Sequence, residues 1–260
     1  MLRKRIIGVV TIKQGWVVQS FGYTRYLPVG KIECILENLD RWGIDEILLQ
    51  VIDRSDGQLG PDFRLLEKIS ELGLSTPVTY AGGIRNEKDA TAVIKTGADR
   101  ISIDSLLIDN VNEIKNISYR LGAQAIVASM PMAVFDRGAE WFDYRSSRVV
   151  GLSSNVKYLF ESDAVSEILL IDKENEGSSA GFNVNLLGYF KDISTPIIAF
   201  GGINDSEQML SLLKMDCISA VAIGNSLNYK EHSLQNYKLN LNEISIRPEV
   251  YRSSIEVVSE

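Results

Sequence analysis

Two glycine turns, each followed one apolar run later by a polar cluster, are the stretches of this chain best suited to hold a reactive ligand. Thr76 to Ser105 reads TPVTYAGGIRNEKDATAVIKTGADRISIDS, and Thr195 to Ser226 reads TPIIAFGGINDSEQMLSLLKMDCISAVAIGNS. In both, Pro opens an apolar run, the run ends in Gly-Gly-Ile, an Asn or Asp follows, and an amphipathic helical pattern leads to a second apolar run. Gly82-Gly83 and Gly201-Gly202 lack side chains, so backbone N–H groups there can come close to an anion. The second runs end in Asp104-Ser105 and in Gly224-Asn225-Ser226. These positions make two candidate phosphate seats; tight turning and close helix packing explain the same glycines without a ligand.

Other chemistries are poorly supplied. His232 is the one histidine, which excludes Ser-His-Asp and His-cluster sites built from this chain alone. Cys34 and Cys217 stand apart without a CxxC spacing, so no metal, cofactor or disulfide framework is expected, and a reducing, cytoplasmic setting fits. A net charge of -7 argues against a nucleic-acid surface. After the basic start Arg3-Lys4-Arg5, the apolar run from Ile6 to Val10 is too short for a membrane span or a signal h-region.

Positioning these turns requires alternating strands and helices. Strands are predicted at Arg5 to Ile12, Glu46 to Ile52, Pro77 to Tyr80, Arg100 to Ile103, Ala125 to Ser129, Glu167 to Ile171, Pro196 to Phe200 and Ala220 to Ile223. Most are short apolar runs, as parallel strands covered on both faces should be. Helical patterns fall at Ile32 to Trp42, Phe63 to Glu71, Lys88 to Thr96, Val111 to Leu121, Val156 to Ser162, Val184 to Phe190 and Glu207 to Lys214. Glu46-Ile47-Leu48-Leu49 recurs as Glu167-Ile168-Leu169-Leu170, and Ser75-Thr76-Pro77 as Ser194-Thr195-Pro196, at offsets of 121 and 119 residues. A half-chain period of this kind predicts a (β/α)8 barrel of two duplicated half-barrels, about 1-120 and 121-230, in one domain of 260 residues. The connections Lys13 to Gly30 and Pro131 to Val149, the latter with Trp141, Phe142 and Tyr144, occupy matching places and are candidate lids. The tail 231-260 shows no clear amphipathic helix, and Ser253 to Glu260 is expected to fray.

The opening LRKRIIGVVTIKQGWVV, the GGI turns, LGAQAIVAS at 121-129 and EILLIDKENEG at 167-177 resemble the cyclase (synthase) subunit of imidazole glycerol phosphate synthase. The likeness runs to about residue 227, with few gaps. It implies a barrel that receives ammonia from a glutaminase subunit at its N-terminal face and works on a phosphorylated small molecule at the other. LGPDFRLLEKIS at 59-70 and EHSLQNY at 231-237 look closer to a divergent branch associated with surface polysaccharides, which implies a sugar amidotransferase as a further partner. The resemblance places Gly177 at a phosphate seat and matches Arg5, Glu46, Arg100 and Glu167 to the family's charged ring at the ammonia entrance. It also matches Asp99 to an acidic contact with the glutaminase. A ring of two Arg and two Glu closes a barrel by salt bridges equally well with no channel.

The departures fall on the catalytic side. Where the family carries its first catalytic Asp, in a pattern like CLDVKDG, this chain has Thr11 within VVTIKQG; where it carries the second, in a pattern like VAIDAKR, it has Pro131 within ASMPMAV. Gln19 replaces a lysine, and Asp104 replaces the asparagine of one phosphate seat. Thr, Pro and Gln cannot exchange a proton near neutral pH, and losing a positioned acid or base costs about 100 to 10,000-fold. Ordinary histidine-pathway cyclisation is therefore not expected. Glu176 is the main acid left at a strand end, with Asp53 and Asp172 as lesser candidates. Two other readings stay open: a degenerate phosphate-binding or scaffold barrel, and an ammonia-independent sugar-phosphate isomerase or lyase using Glu176.

Overall fold

A computed structural model describes residues 3–55, 57–135, 138–151, 154–228 and 232–248. Strands β1 (Arg5–Lys13), β2 (Trp16–Phe21), β3 (Arg25–Gly30), β4 (Glu46–Val51), β5 (Val78–Ala81) and β6 (Arg100–Ile103) belong to the first half of the chain. β7 (Ile126–Phe135), β8 (Gly138–Asp143), β9 (Arg148–Val150), β10 (Glu167–Asp172), β11 (Ile197–Phe200) and β12 (Ile218–Ile223) follow. The helices are α1 (Ile32–Arg41), α2 (Phe63–Glu71), α3 (Glu87–Thr96), α4 (Ser105–Asp109), α5 (Val111–Leu121), α6 (Ser154–Glu161), α7 (Ser206–Leu213) and α8 (Ser233–Asn240).

Eight parallel strands close on themselves in the order β1-β4-β5-β6-β7-β10-β11-β12, with β12 pairing back to β1. This is the (β/α)8 barrel that the strand-helix alternation predicts. Alternation along each strand divides the core in two. Ile7, Val9, Leu48, Val127, Leu169, Ile198, Phe200, Ala220 and Ala222 pack inside the barrel. Ile6, Val10, Ile47, Leu49, Ile126, Ala128, Ile168 and Leu170 face outward, beneath the helices. Burial on both faces is why the strands lack a polar side.

The Asn or Asp after each Gly-Gly-Ile caps a helix. Asn86 accepts from the Asp89 N–H at the start of α3, and Asp205 from the Gln208 N–H at the start of α7. Such caps are worth about 1 kcal/mol each. The glycines are required by close backbone approach. A Cβ on Gly82 (φ +142°) would lie 2.6 Å from the Val51 carbonyl oxygen, and one on Gly201 (φ +115°) would lie 2.5 Å from that of Asp172.

The two long connections are antiparallel sheet extensions standing on the C-terminal ends of β1 and β7. β2 and β3 continue from β1, and β8 and β9 from β7. Elsewhere the sequence expectation needs correction. Val184–Phe190 is a 3-10 segment rather than an α-helix, and α4 was not foreseen. The tail does contain a helix, α8, without a regular apolar stripe, because its buried face includes polar residues that find partners. Gln235 Nε2 donates to the Trp42 carbonyl at 3.4 Å, and Lys238 Nζ donates to Asp45 Oδ1 at 2.7 Å and the Gly43 carbonyl at 2.8 Å. Ser253 to Glu260 lies outside the described residues.

Candidate functional site

The C-terminal ends of the strands surround a cavity of about 220 Å³ over β4, β5 and β6. Gly82, Gly83, Asp104 and Ser105, the earlier of the two predicted seats, line it together with Gln50, Ser102 and Ser129. The sheet extensions close it from above. Tyr23 and Tyr144 meet with ring centroids 4.8 Å apart, and Phe142 packs edge-on against Tyr144 at 5.1 Å. The Tyr23 hydroxyl donates to Gln50 Oε1 at 2.9 Å, so the first extension is fastened to the barrel interior. Arg145 fastens the second: its guanidinium holds Asp109 of α4 at 2.6 and 2.9 Å and Asp143 at 3.2 Å.

Burial of the Asp104 carboxyl pushes its pKa up to about 7, with the Asp143 carboxylate adding to the rise and Arg145 opposing it. Ser102 Oγ and Tyr144 Oη are buried on the lining with no hydrogen-bond partner among the described residues. Sequence reasoning missed Tyr23, Tyr26, Ser102, Gln50 and Arg145. A legible signal existed for Ser102: on β6 it alternates with the outward-facing Ile101 and Ile103 and so turns into the barrel, just before Asp104 at the strand's end.

The later seat is smaller and more fully used by the fold. Glu176, Gly177, Gly201, Gly202, Gly224, Asn225 and Ser226 surround about 30 Å³. Asn225 exchanges hydrogen bonds with the Ser20 backbone at 3.2 and 2.7 Å, and a Cβ on Gly177 would lie 2.0 Å from the Ser20 carbonyl oxygen. Both residues thereby hold β2 in place. Ser226 Oγ is buried there without a partner among the described residues. Glu176 Oε2 accepts from the Ser20 hydroxyl at 3.0 Å and the Tyr23 N–H at 3.1 Å, and burial raises its pKa against those two bonds. Thr11 shares a small cavity with Glu176, whereas Pro131 is buried in β7 and borders none of these spaces. Asp172 is committed to Asn175 and the Asn183 N–H, and Asp53 to the Gln14 N–H.

At the opposite end, Arg5, Glu46, Arg100 and Glu167 meet in one closed ring. Arg5 pairs with Glu46 at 3.0 Å and with Glu167; Arg100 pairs with Glu46 at 3.2 Å and with Glu167 at 2.8 Å. The Thr79 hydroxyl donates to Glu46 at 2.6 Å, and the Ser219 hydroxyl donates to Glu167. Asp99, beside the ring, is exposed, and its carboxylate accepts from the Val78 N–H at 2.8 Å.

Among the described residues, no group of three or more His, Cys, Asp and Glu is arranged to hold a metal ion, and no helix is long and apolar enough to cross a membrane. The sequence pattern of the family described as histidine biosynthesis protein matches residues 5–233. A Vibrio vulnificus protein, provisionally named imidazole glycerol phosphate synthase subunit hisF2, is 31% identical over 251 residues, 93% of this chain and 92% of its own. The imidazole glycerol phosphate synthase subunit HisF of Pyrococcus furiosus is 27% identical over 95% of this chain and 99% of its own. That of Natranaerobius thermophilus is 26% identical over 94% of this chain and 97% of its own.

Proposed function

Since the chain belongs to the histidine biosynthesis protein family and is a HisF-like barrel, we propose that it is the ammonia-accepting subunit of a glutamine-dependent complex. A separate glutaminase docks on the face bearing Asp99, ammonia enters at the charged ring, and the C-terminal face presents it to a phosphorylated sugar or nucleotide-derived substrate. The observation that carries this reading is the contrast between the two ends of the barrel. The four-residue ring is complete and salt-bridged, while the two positions where relatives of this kind place catalytic carboxylates hold Thr11 and Pro131.

Each part has a chemical task. Ammonia must pass the ring uncharged, and displacing one Arg-Glu contact opens the axis without removing the remaining pairs. Beyond the ring, the inward residues of β5 and β6 are small: Thr79, then Ala81 and Ser102, which border the main cavity. The ligand's phosphate rests on the Gly201-Gly202 turn, where Ser226 Oγ awaits a partner. Glu176, its pKa raised by burial, is the proton-exchanging group beside that seat. A barrel that binds a phosphate ligand without catalysis is the alternative, supported by Thr11 and Pro131.

The test is reconstitution with a glutaminase encoded near this gene. Glutamine hydrolysis is expected to rise on complex formation, and the chain should fail to restore growth to a strain lacking the histidine-pathway cyclase. Growth rescue by the unaltered chain would defeat the proposal, and a stable complex with no change in glutaminase rate would favour the non-catalytic alternative.

A further inference from the structure

The main cavity has a lining that an anion does not suit. Its basic side chain, Arg145, is committed to Asp109 and Asp143. Asp104 and Asp143 are the carboxyls on its wall, Asp143 being the one paired with Arg145, and Ser102, 3% exposed, turns an unpartnered hydroxyl into it. Tyr144 adds a second unpartnered oxygen, and the rings of Tyr23, Tyr144 and Phe142 form the cover, with Lys173 Nζ over the Phe142 ring at 4.3 Å. A carboxylate, hydroxyl oxygens and aromatic faces together attract a positively charged nitrogen and repel phosphate.

We propose that this cavity is a cation seat: it holds an amine or amidine group of a ligand against Asp104, with Ser102 and Tyr144 accepting its N–H bonds and the aromatic cover stacking on it. The inference deepens the nitrogen-delivery reading, since it makes the nitrogen-bearing end of substrate or product the part recognised here. The cavity's own preference is measurable without ammonia, glutamine or a partner, so its failure is distinct from failure of that reading.

Charge on Asp104 depends on its neighbours, Asp143 and Arg145 from the second sheet extension and Asp109 from α4. Tyr23 and Tyr144 of the cover, their pKa values raised by burial and by Asp104 itself, stay neutral. With a pKa of about 7, Asp104 is mostly protonated at pH 6 and mostly ionised at pH 8. Cation binding should therefore strengthen about tenfold between those values, following the ionised fraction.

The experiment titrates the full chain with benzamidine, its neutral analogue benzyl alcohol, and inorganic phosphate, following backbone amide resonances. Benzamidine is expected to shift Gly82, Gly83, Ser102 and Ser105, at least tenfold more tightly than benzyl alcohol at pH 8 and with the stated loss at pH 6. Asp104→Asn should weaken benzamidine at least tenfold, and Asp104→Glu should retain part of the binding. Equal affinity for benzamidine and benzyl alcohol, or phosphate shifting Gly82 and Gly83 in the unaltered chain, would overturn the proposal. The comparison of the two aromatic probes needs no variant and stands even if Asp104→Asn does not fold.

Discussion

Tyr23 and Tyr144 touch across the top of the barrel, their rings 4.8 Å apart and tilted by 52°, although one follows β2 and the other follows β8. Their contact joins the two sheet extensions into one cover, and the Tyr23 hydroxyl ties that cover to Gln50. Aromatic pairs of this geometry contribute about 0.5–1.5 kcal/mol beyond burial. A double-mutant cycle of Tyr23→Phe and Tyr144→Leu separates the contributions: Tyr23→Phe should remove only the hydroxyl bond and leave ring packing. The cycle with Tyr23→Leu should show a coupling of about 0.5–1.5 kcal/mol in urea unfolding. Strict additivity would mean that the two extensions close independently.

Glu46 accepts from both Arg5 and Arg100 and from the Thr79 hydroxyl. Glu46→Gln removes one charge from a four-charge ring whose arginine side chains are only 16% and 14% exposed. Stranding a cation in a buried pair costs about 3–5 kcal/mol, and the low end is expected because these guanidiniums keep some contact with water. Denaturant unfolding checks the stability, and glutamine-to-ammonia coupling in the reconstituted complex checks the gate. A variant as stable as the parent would show that the ring does not work as a connected unit.

Much of the barrel was legible because its strands are doubly buried and its helices are punctuated. The Gly-Gly-Ile turns and the Asn86 and Asp205 caps are local signals, written within a few residues of the elements they stop and start. The ring was legible through the family resemblance, which matches the strand-opening charges Arg5, Glu46, Arg100 and Glu167. Strand position alone does not turn them inward, since Val78, Ile126, Ile197 and Ile218 also open strands and face the helices. The cover did not follow in the same way. Tyr23 finds Tyr144 more than a hundred residues away, and nothing in either neighbourhood encodes that meeting. Helix α8 was hidden for a related reason: Lys238 is buried by a partner, Asp45, that only the tertiary fold supplies.

That Lys238–Asp45 pair gives a pH-dependent prediction. Desolvation raises the Asp45 pKa in the folded chain, against the opposing pull of Lys238 and the Ile6 N–H. Removing the cation with Lys238→Met should raise it further. A carboxyl whose folded pKa lies above its unfolded value contributes stability at low pH and loses it as pH rises through the folded pKa. Lys238→Met should therefore lie closest to the parent near pH 5 and fall increasingly below it towards pH 8, where breaking a buried pair costs about 3–5 kcal/mol. Thermal unfolding at both pH values checks this, and a pH-independent difference would show that Asp45 does not take up the strain.

Asp99 is the last test, because it separates docking from folding at the ring end. Its carboxylate is exposed yet accepts the Val78 N–H at 2.8 Å, so reversing its charge alters two things at once. Asp99→Asn keeps an acceptor for Val78 and removes the charge; Asp99→Lys removes both and introduces repulsion toward a basic partner surface. Rim charges act mainly on association rate and its salt dependence, whereas a buried charge pair acts on dissociation. If Asp99 is a docking contact, Asp99→Asn should slow association with the glutaminase and flatten its salt dependence at unchanged stability. Asp99→Lys should weaken the complex further, by about 2–5 kcal/mol if the carboxylate is buried in the complex. Surface-binding kinetics at two salt concentrations, with unfolding measured in parallel, distinguish these outcomes. Equal association rates for the parent and both variants would remove Asp99 from the interface and with it the docking face proposed for the glutaminase.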